Sequence, residues 1–296
     1  MRPFPLPPSW PRSSAPASSR DGTAVRWWCS PPTAAWSGRW ARRPPRSSPA
    51  PRTSPVSYTQ RQPFHLGLVR TMLAEHGLTP GDLQTPADLP LDHEEAEAYL
   101  ASGQVRERLT MNCSGKHTAM LAASALNGWP LASYLDRAHP LQQLVADGVR
   151  TASGEDTAHV GTDGCGAPLL SLSLTGLARA FQYFVQAGPG TPERRVADAM
   201  RAHPEYVAGT RRPDTWLMQA LPGTLAKMGA EAVQALALPD GRALAFKIDD
   251  GATRTLGPVL ARTLRLMGLD VPVLARLEDA PLFGGGARVG EIRATF

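Results

Sequence analysis

The chain holds only three cysteines in 296 residues, Cys29, Cys113 and Cys165, and they lie far apart. That is too few for a disulfide framework, so a reducing cytoplasm with metal or thiolate chemistry fits better. No apolar run approaches the roughly 18 residues of a membrane helix, so no span is expected. No charged stretch followed by an apolar block opens the sequence, so no secretory leader is expected either. Acids are almost missing from the first 55 positions, where nine arginines and no lysine stand against Asp21 alone. The net charge of all 296 residues is +5, so that segment supplies +8 and the remainder about −3. The basic character therefore belongs to the leading segment. The rest gives no electrostatic case for nucleic acid.

Periodicity is missing from the same stretch. Residues 1–60 hold 13 of the 29 prolines and five of the seven tryptophans. "RWWCSPPTAAWSGRWARRPPRSSPAPRTSP" follows neither helical nor strand spacing, and proline at this density opposes regular structure. Composition points to a disordered tail, yet disordered tails are poor in tryptophan.

From Gln62 onward the texture is globular. "FHLGLVRTMLAEHG" sets Leu66, Val69 and Leu73 on one helical face and stops at Gly77. "DHEEAEAYLASG" has acids in its first turn, which suit the helix dipole. "HPLQQLVADGVRTASG" predicts a helix with Leu141, Leu144, Val145 and Val149 on one side. "TPERRVADAMRAHP" has a Thr cap and proline at its first helical position. "GRALAFKIDDG" reads as a strand closed by an Asp-Gly turn, "RTLGPVLARTLRLMG" as a helix and "GARVGEIRATF" as a final strand. Helices and strands mix without a βαβ period, so the expected class is α/β or α+β. Two units follow: a disordered segment at 1–60 and one domain at 61–296.

The densest reactive stretch is "MNCSGKHTAML". With a helix starting near Ser114, Cys113 precedes its first turn and Lys116 and His117 lie in it. Unpaired backbone N–H groups there favour a thiolate and an anionic ligand. About 50 residues on, "HVGTDGCGAPLL" places Cys165 between Gly164 and Gly166, just after Asp163. These glycines allow tight turns and close backbone approach to a small polar ligand. Two thiols could hold zinc given a third ligand. His117 is the conventional donor, and Lys116 can serve only when neutral. A buried cysteine is equally a small hydrophobe, and Ser-Gly-Lys equally a plain helix start.

These motifs, with "NGWPLASYLDRAHPLQ", "PFHLGLVRTMLAEHGL", "LQTPADLPLD", "KMGAEAVQALAL" and "LAFKIDDGATR" in order, resemble the zinc-containing L-asparaginase II family from about Gln62 to the C-terminus. The resemblance implies a serine β-lactamase-like fold, an antiparallel sheet flanked by helices. It implies hydrolysis of L-asparagine to L-aspartate and ammonia, and a possible homodimer. By motif position it makes Cys113, Lys116 and Cys165 the zinc ligands. It sets His117, Asp163 and Gly164 in the substrate pocket, and makes Lys247 of "FKIDDG" the catalytic lysine. Other readings are a glutaminase or another β-lactamase-like acyl hydrolase, and a non-catalytic zinc-binding remnant.

The sequence departs from the family at its nucleophile. No Ser-x-x-Lys occurs anywhere; Thr224 and Lys227 alone share that spacing, in a different segment. Impaired activity is therefore expected. A shifted reading frame accounts for the loss. Joining the third base of each codon to the first two of the next turns the codon before every Trp into Val, Leu or Met. With suitable free bases, Asp21 to Pro55 re-reads as a valine-rich hairpin followed by Arg-Ser-x-x-Lys-Pro. Losing that hairpin predicts an unpaired sheet edge and an unstable protein.

Overall fold

The computed structural model describes residues 62–296 and, before them, the backbone of two strands, β1 (Ala17–Ser18) and β2 (Ala24–Ser30). Four helices follow: α1 (Pro63–Glu75), α2 (His93–Ala101), α3 (Ser114–Leu126) and α4 (Pro140–Ser153). A short hairpin of β3 (Val160–Thr162) and β4 (Pro168–Leu170) leads on to α5 (Leu174–Gln186), α6 (Pro192–Ala202), α7 (Pro204–Ala208) and α8 (Pro213–Ala220). Then come β5 (Leu225–Met228), β6 (Val233–Ala237) and β7 (Ala243–Ile248), helices α9 (Leu256–Leu266) and α10 (Val273–Glu278), and a last hairpin of β8 (Pro281–Gly284) and β9 (Ala287–Glu291).

The helix ends follow local chemistry. Proline opens α1, α4, α6, α7 and α8, where its missing N–H costs nothing. Asp92 accepts the Glu95 N–H to cap α2, and Thr191 caps α6 through the Arg194 N–H. Gly154, at φ 70°, ends α4 in the left-handed region. One expected stripe is only partly buried. On α4, Leu141 is covered, while Leu144 is 61% and Val145 40% exposed.

One five-stranded antiparallel sheet runs in the order β1-β2-β7-β6-β5. Here the open edge expected beside β7 is filled, because β2 pairs with β7 from Val25↔Ile248 to Ser30↔Ala243. Residues 17–30 lie between Pro16 and Pro31 and contain no proline, so every N–H in that window can join a ladder. The ladder uses backbone groups alone, which explains a strand where side-chain periodicity gave none. The remaining expectations for residues 1–60, disorder and the shifted-frame motif, lie outside the described residues.

The interior holds two large apolar cores and one small cluster, the seam. The larger packs the sheet against helices before and after it, with Phe246, Leu236, Leu244 and Ile248 in one core with Leu217 of α8 and Leu260 and Leu264 of α9. The smaller joins α1, α3 and α4 through Val69, Leu73, Leu121, Tyr134 and Leu141. Met111, Cys113, Cys165 and Ala167 form a third, small cluster, which Met120 and Leu135 also touch from the helical core.

Candidate functional site

Two segments build the site. Cys113 is the residue before α3, so its sulfur meets the helix start and makes no capping hydrogen bond of its own. The β3–β4 turn supplies the other half. Asp163 N–H donates to Ala167 O at 2.9 Å and Gly166 N–H to Asp163 O at 2.8 Å, with Gly166 at φ 89°. That tight turn aims Asp163 and Cys165 back at α3. One donor atom each from Cys113, Asp163 and Cys165 lies within 4.8 Å of the others.

Lys116 closes the group. Its Nζ donates to Asp163 Oδ2 at 3.0 Å, and Cys165 Sγ lies 3.3 Å from the same oxygen. Gly164 N–H donates to Asp163 Oδ1 at 2.8 Å. Asp163 was expected beside the substrate and Lys116 beside the metal. The geometry sets the carboxylate among the sulfurs and the ammonium against the carboxylate, with both sulfurs also acting on Lys116. His117 is fully buried, and its Nδ1 meets Tyr134 Oη at 2.6 Å. Tyr134 Oη also accepts the Gln84 N–H at 3.0 Å, so the ring is held on both sides.

The charges are mutually dependent. The hydrogen bond between the two thiols, more than burial, pushes Cys113 up and draws Cys165 down, so the pair holds one proton. His117, the Ala167 N–H and Lys116 further favour the Cys165 thiolate. Burial works against the Lys116 ammonium, but the two sulfurs and Asp163 overrule it and raise its pKa. Burial likewise opposes the Asp163 carboxylate, and its bond from Lys116 overrules that and lowers its pKa. Burial lifts Tyr134 to about 12, so its hydroxyl keeps its proton at neutral pH.

The lysines divide unexpectedly. Lys247 Nζ donates to Glu231 O at 2.7 Å and to Ile248 O at 3.1 Å, near the C-terminal end of β7. Lys227, on β5, faces the cluster electrically. Burial, with Arg212 and Lys116, brings its pKa down to about 8 against the opposing pull of Asp214 and Cys113. Register puts Lys227 level with Ala235 and Ala245, so Lys247 shares its sheet face but sits two strands away. That is roughly 12 Å between Cα positions. Thr224 does not complete a Ser-x-x-Lys equivalent. Three residues along an extended backbone reverse the side-chain direction, so only a helix would bring the pair together.

Comparison with known families now has a structural setting. The model of the L-asparaginase II family matches residues 57–294. The chain belongs to the L-asparaginase II family. Its class is thus that of the asparaginase-type amidohydrolases, with helices and antiparallel sheets combined as expected. None of the curated proteins compared with it matches. No described helix is long and apolar enough to cross a membrane.

Proposed function

We propose that the seam binds L-asparagine and that Lys227, rather than Lys247, is the lysine that serves its hydrolysis. The observation carrying this reading is the convergence of Cys113, Lys116, Asp163 and Cys165 into one wall of polar groups, two of which also act on the charge of Lys227. Such a wall suits a small zwitterion. Lys116 and the first turn of α3 attract its carboxylate, and Asp163 attracts its ammonium. Hydrolysis then breaks the C–N bond of the substrate's terminal amide, places the attacking oxygen on the carbonyl carbon and releases ammonia. An amine titrating near neutrality can take the proton of the attacking hydroxyl and return it to the leaving nitrogen.

We also propose zinc as the resident metal. Two thiols and a carboxylate within reach of one point match the donors zinc prefers, and one of the thiols is already inclined to ionise. Cys113 and Cys165 would hold it with Asp163, or with Lys116 after proton loss. Bound there, it supplies positive charge that orients the amino acid. The serine β-lactamase-like fold enters on the same footing. What supports it is a five-stranded antiparallel sheet with helices before and after it.

Activity is a separate matter, because no Ser-x-x-Lys is present. We propose that residues 1–60 come from a shifted frame and that this protein binds its ligand yet turns it over several orders of magnitude more slowly than the frame-restored form. Calorimetry with L-asparagine and L-aspartate, paired with ammonia release from both forms, tests this. Lys227→Met should abolish release in the restored form, while Lys247→Met should leave most of it. Equal turnover by both unsubstituted forms, or the reverse order of the two lysine variants, would overturn the reading.

A further inference from the structure

Tyr134 reaches the cluster from the connection between α3 and α4. It is wholly excluded from water, in the same core as Leu73 and Leu121. Gln142 Nε2, on α4, donates to its carbonyl at 2.7 Å, which ties its backbone to that helix. Its ring stands edge-on to His117, with centroids 5.6 Å apart and planes at 87°. Phenylalanine would serve the packing alone. What tyrosine adds is one oxygen carrying one hydrogen, and both need partners in a dry interior.

The donors and acceptors around that oxygen allow one arrangement. The Gln84 N–H can only donate, and it reaches Oη at 3.0 Å. The other polar neighbour of Oη among the described residues is His117 Nδ1, at 2.6 Å. If Nδ1 carried a hydrogen, Oη would receive two donors and its own hydrogen would be buried without an acceptor. The hydroxyl does keep that hydrogen at neutral pH, because burial lifts its pKa to about 12. Oη–H therefore donates and Nδ1 accepts. The separation agrees, since 2.6 Å is shorter than the usual N–H···O bond and ordinary for a hydroxyl donor. An imidazole that accepts through Nδ1 is neutral and carries its hydrogen on Nε2. With Nδ1 committed, Nε2 is the nitrogen left to act on Cys165, whose thiolate His117 favours.

We propose that Tyr134 is a positioning residue that fixes His117 as a hydrogen-bond donor: its hydroxyl claims Nδ1, keeps the hydrogen on Nε2 and so holds the imidazole out of the metal's donor set. A ring nitrogen that carries hydrogen has no lone pair to give. Histidines that do ligate a metal donate through their second nitrogen, and here the second nitrogen accepts instead. By residue type His117 is the conventional third ligand beside two cysteines. Ligation through Nε2 would move its hydrogen to Nδ1 and deprive the Tyr134 hydroxyl of its acceptor. The part that concerns metal rests on the zinc reading given above; the tautomer does not.

The test is nitrogen NMR of isotope-labelled histidine in the full-length protein, metal-free at neutral pH, with His117→Gln identifying the His117 signals. In the unsubstituted protein Nδ1 should resonate as a bare nitrogen and Nε2 as a protonated one. Hydrogen on Nδ1, or on both nitrogens, would overturn the inference before any change at Tyr134 is made. In Tyr134→Phe the Nδ1 signal should move toward the protonated position as the second tautomer is populated. An unmoved signal would show that the hydroxyl does not set the tautomer, which also overturns the inference. Should that variant fail to fold, coupling between the Tyr134 hydroxyl proton and Nδ1 in the unsubstituted protein decides: its presence supports the assignment and its absence overturns it. Zinc is then added to the unsubstituted protein. Nε2 should keep its hydrogen, and its loss as zinc binds would make His117 a ligand and overturn the inference. Failure to take up zinc, with the metal-free tautomer as expected, would sink the zinc reading and leave the role of Tyr134 standing.

Discussion

The core behind the sheet and the seam beside it differ in burial and are composed for different ends. The core is built mainly of apolar side chains, from Leu217 through Phe246 to Leu277, most of them excluded from water, and its buried polar groups, such as Asp214 and Gln234, are bonded to each other. In the seam, two sulfurs, an ammonium, a carboxylate and an imidazole share a space lined by few apolar groups. The contrast separates two uses of burial. In the core it removes apolar surface from water. In the seam it strengthens every charge–charge term, so that each group's protonation depends on its neighbours.

Breaking the core should produce the largest change. Phe246→Ala removes a fully buried ring and should cost about 3–5 kcal/mol of stability in denaturant unfolding. Zinc affinity of the molecules that remain folded should be unchanged. Breaking the seam should do the opposite. Cys165→Ser should abolish stoichiometric zinc uptake, read by metal analysis after dialysis. Its cost in stability, about 1 kcal/mol for a near-isosteric swap, should be well below that of Phe246→Ala. A Cys165→Ser protein that unfolds like the core variant would make the sulfur a piece of the core and erase the distinction.

A pH series gives the smallest effect and sharpens the contrast. The Asp163 carboxyl is depressed by Lys116, so its contribution is present above its unfolded pKa of about 4 and is lost as pH falls through the lower folded value. Lys116 is raised, so its contribution is complete below about 10.5 and fades only at more alkaline pH. Stability from this pair should therefore be flat through neutrality and decline on the acid side. Asp163→Asn should flatten that acid decline slightly, since the pair is partly open to solvent. Phe246→Ala should lower the whole curve without changing its shape.

Much of this arrangement was legible in the residues. Proline starts, acid-rich first turns and apolar spacing located α1, α2, α4 and α6, and the Asp-Gly turn located β7. Cys113 and Cys165 were paired by motif resemblance before any geometry, and they do meet. Less legible were the short strands β3 and β4, three residues each, where no alternation can develop. Lys227 stood out only for its spacing from Thr224, because its strand reads as "TLAKMG", with nothing to mark a role. What singles it out is burial near charged groups of α3 and α8, which only folding brings together. The strand at 24–30 was hidden for another reason: its ladder is made by peptide groups, which no side-chain pattern reports.

The β3–β4 turn has one more consequence. It tethers Asp163 and Cys165 at a point about 50 residues beyond Cys113 in the sequence. Any ion or small molecule gripped from both sides is thus a non-covalent staple across that whole stretch, favouring the closed molecule in proportion to its occupancy. Resistance to a protease, followed while ligand is titrated, would then report how full the staple is without any chemistry taking place.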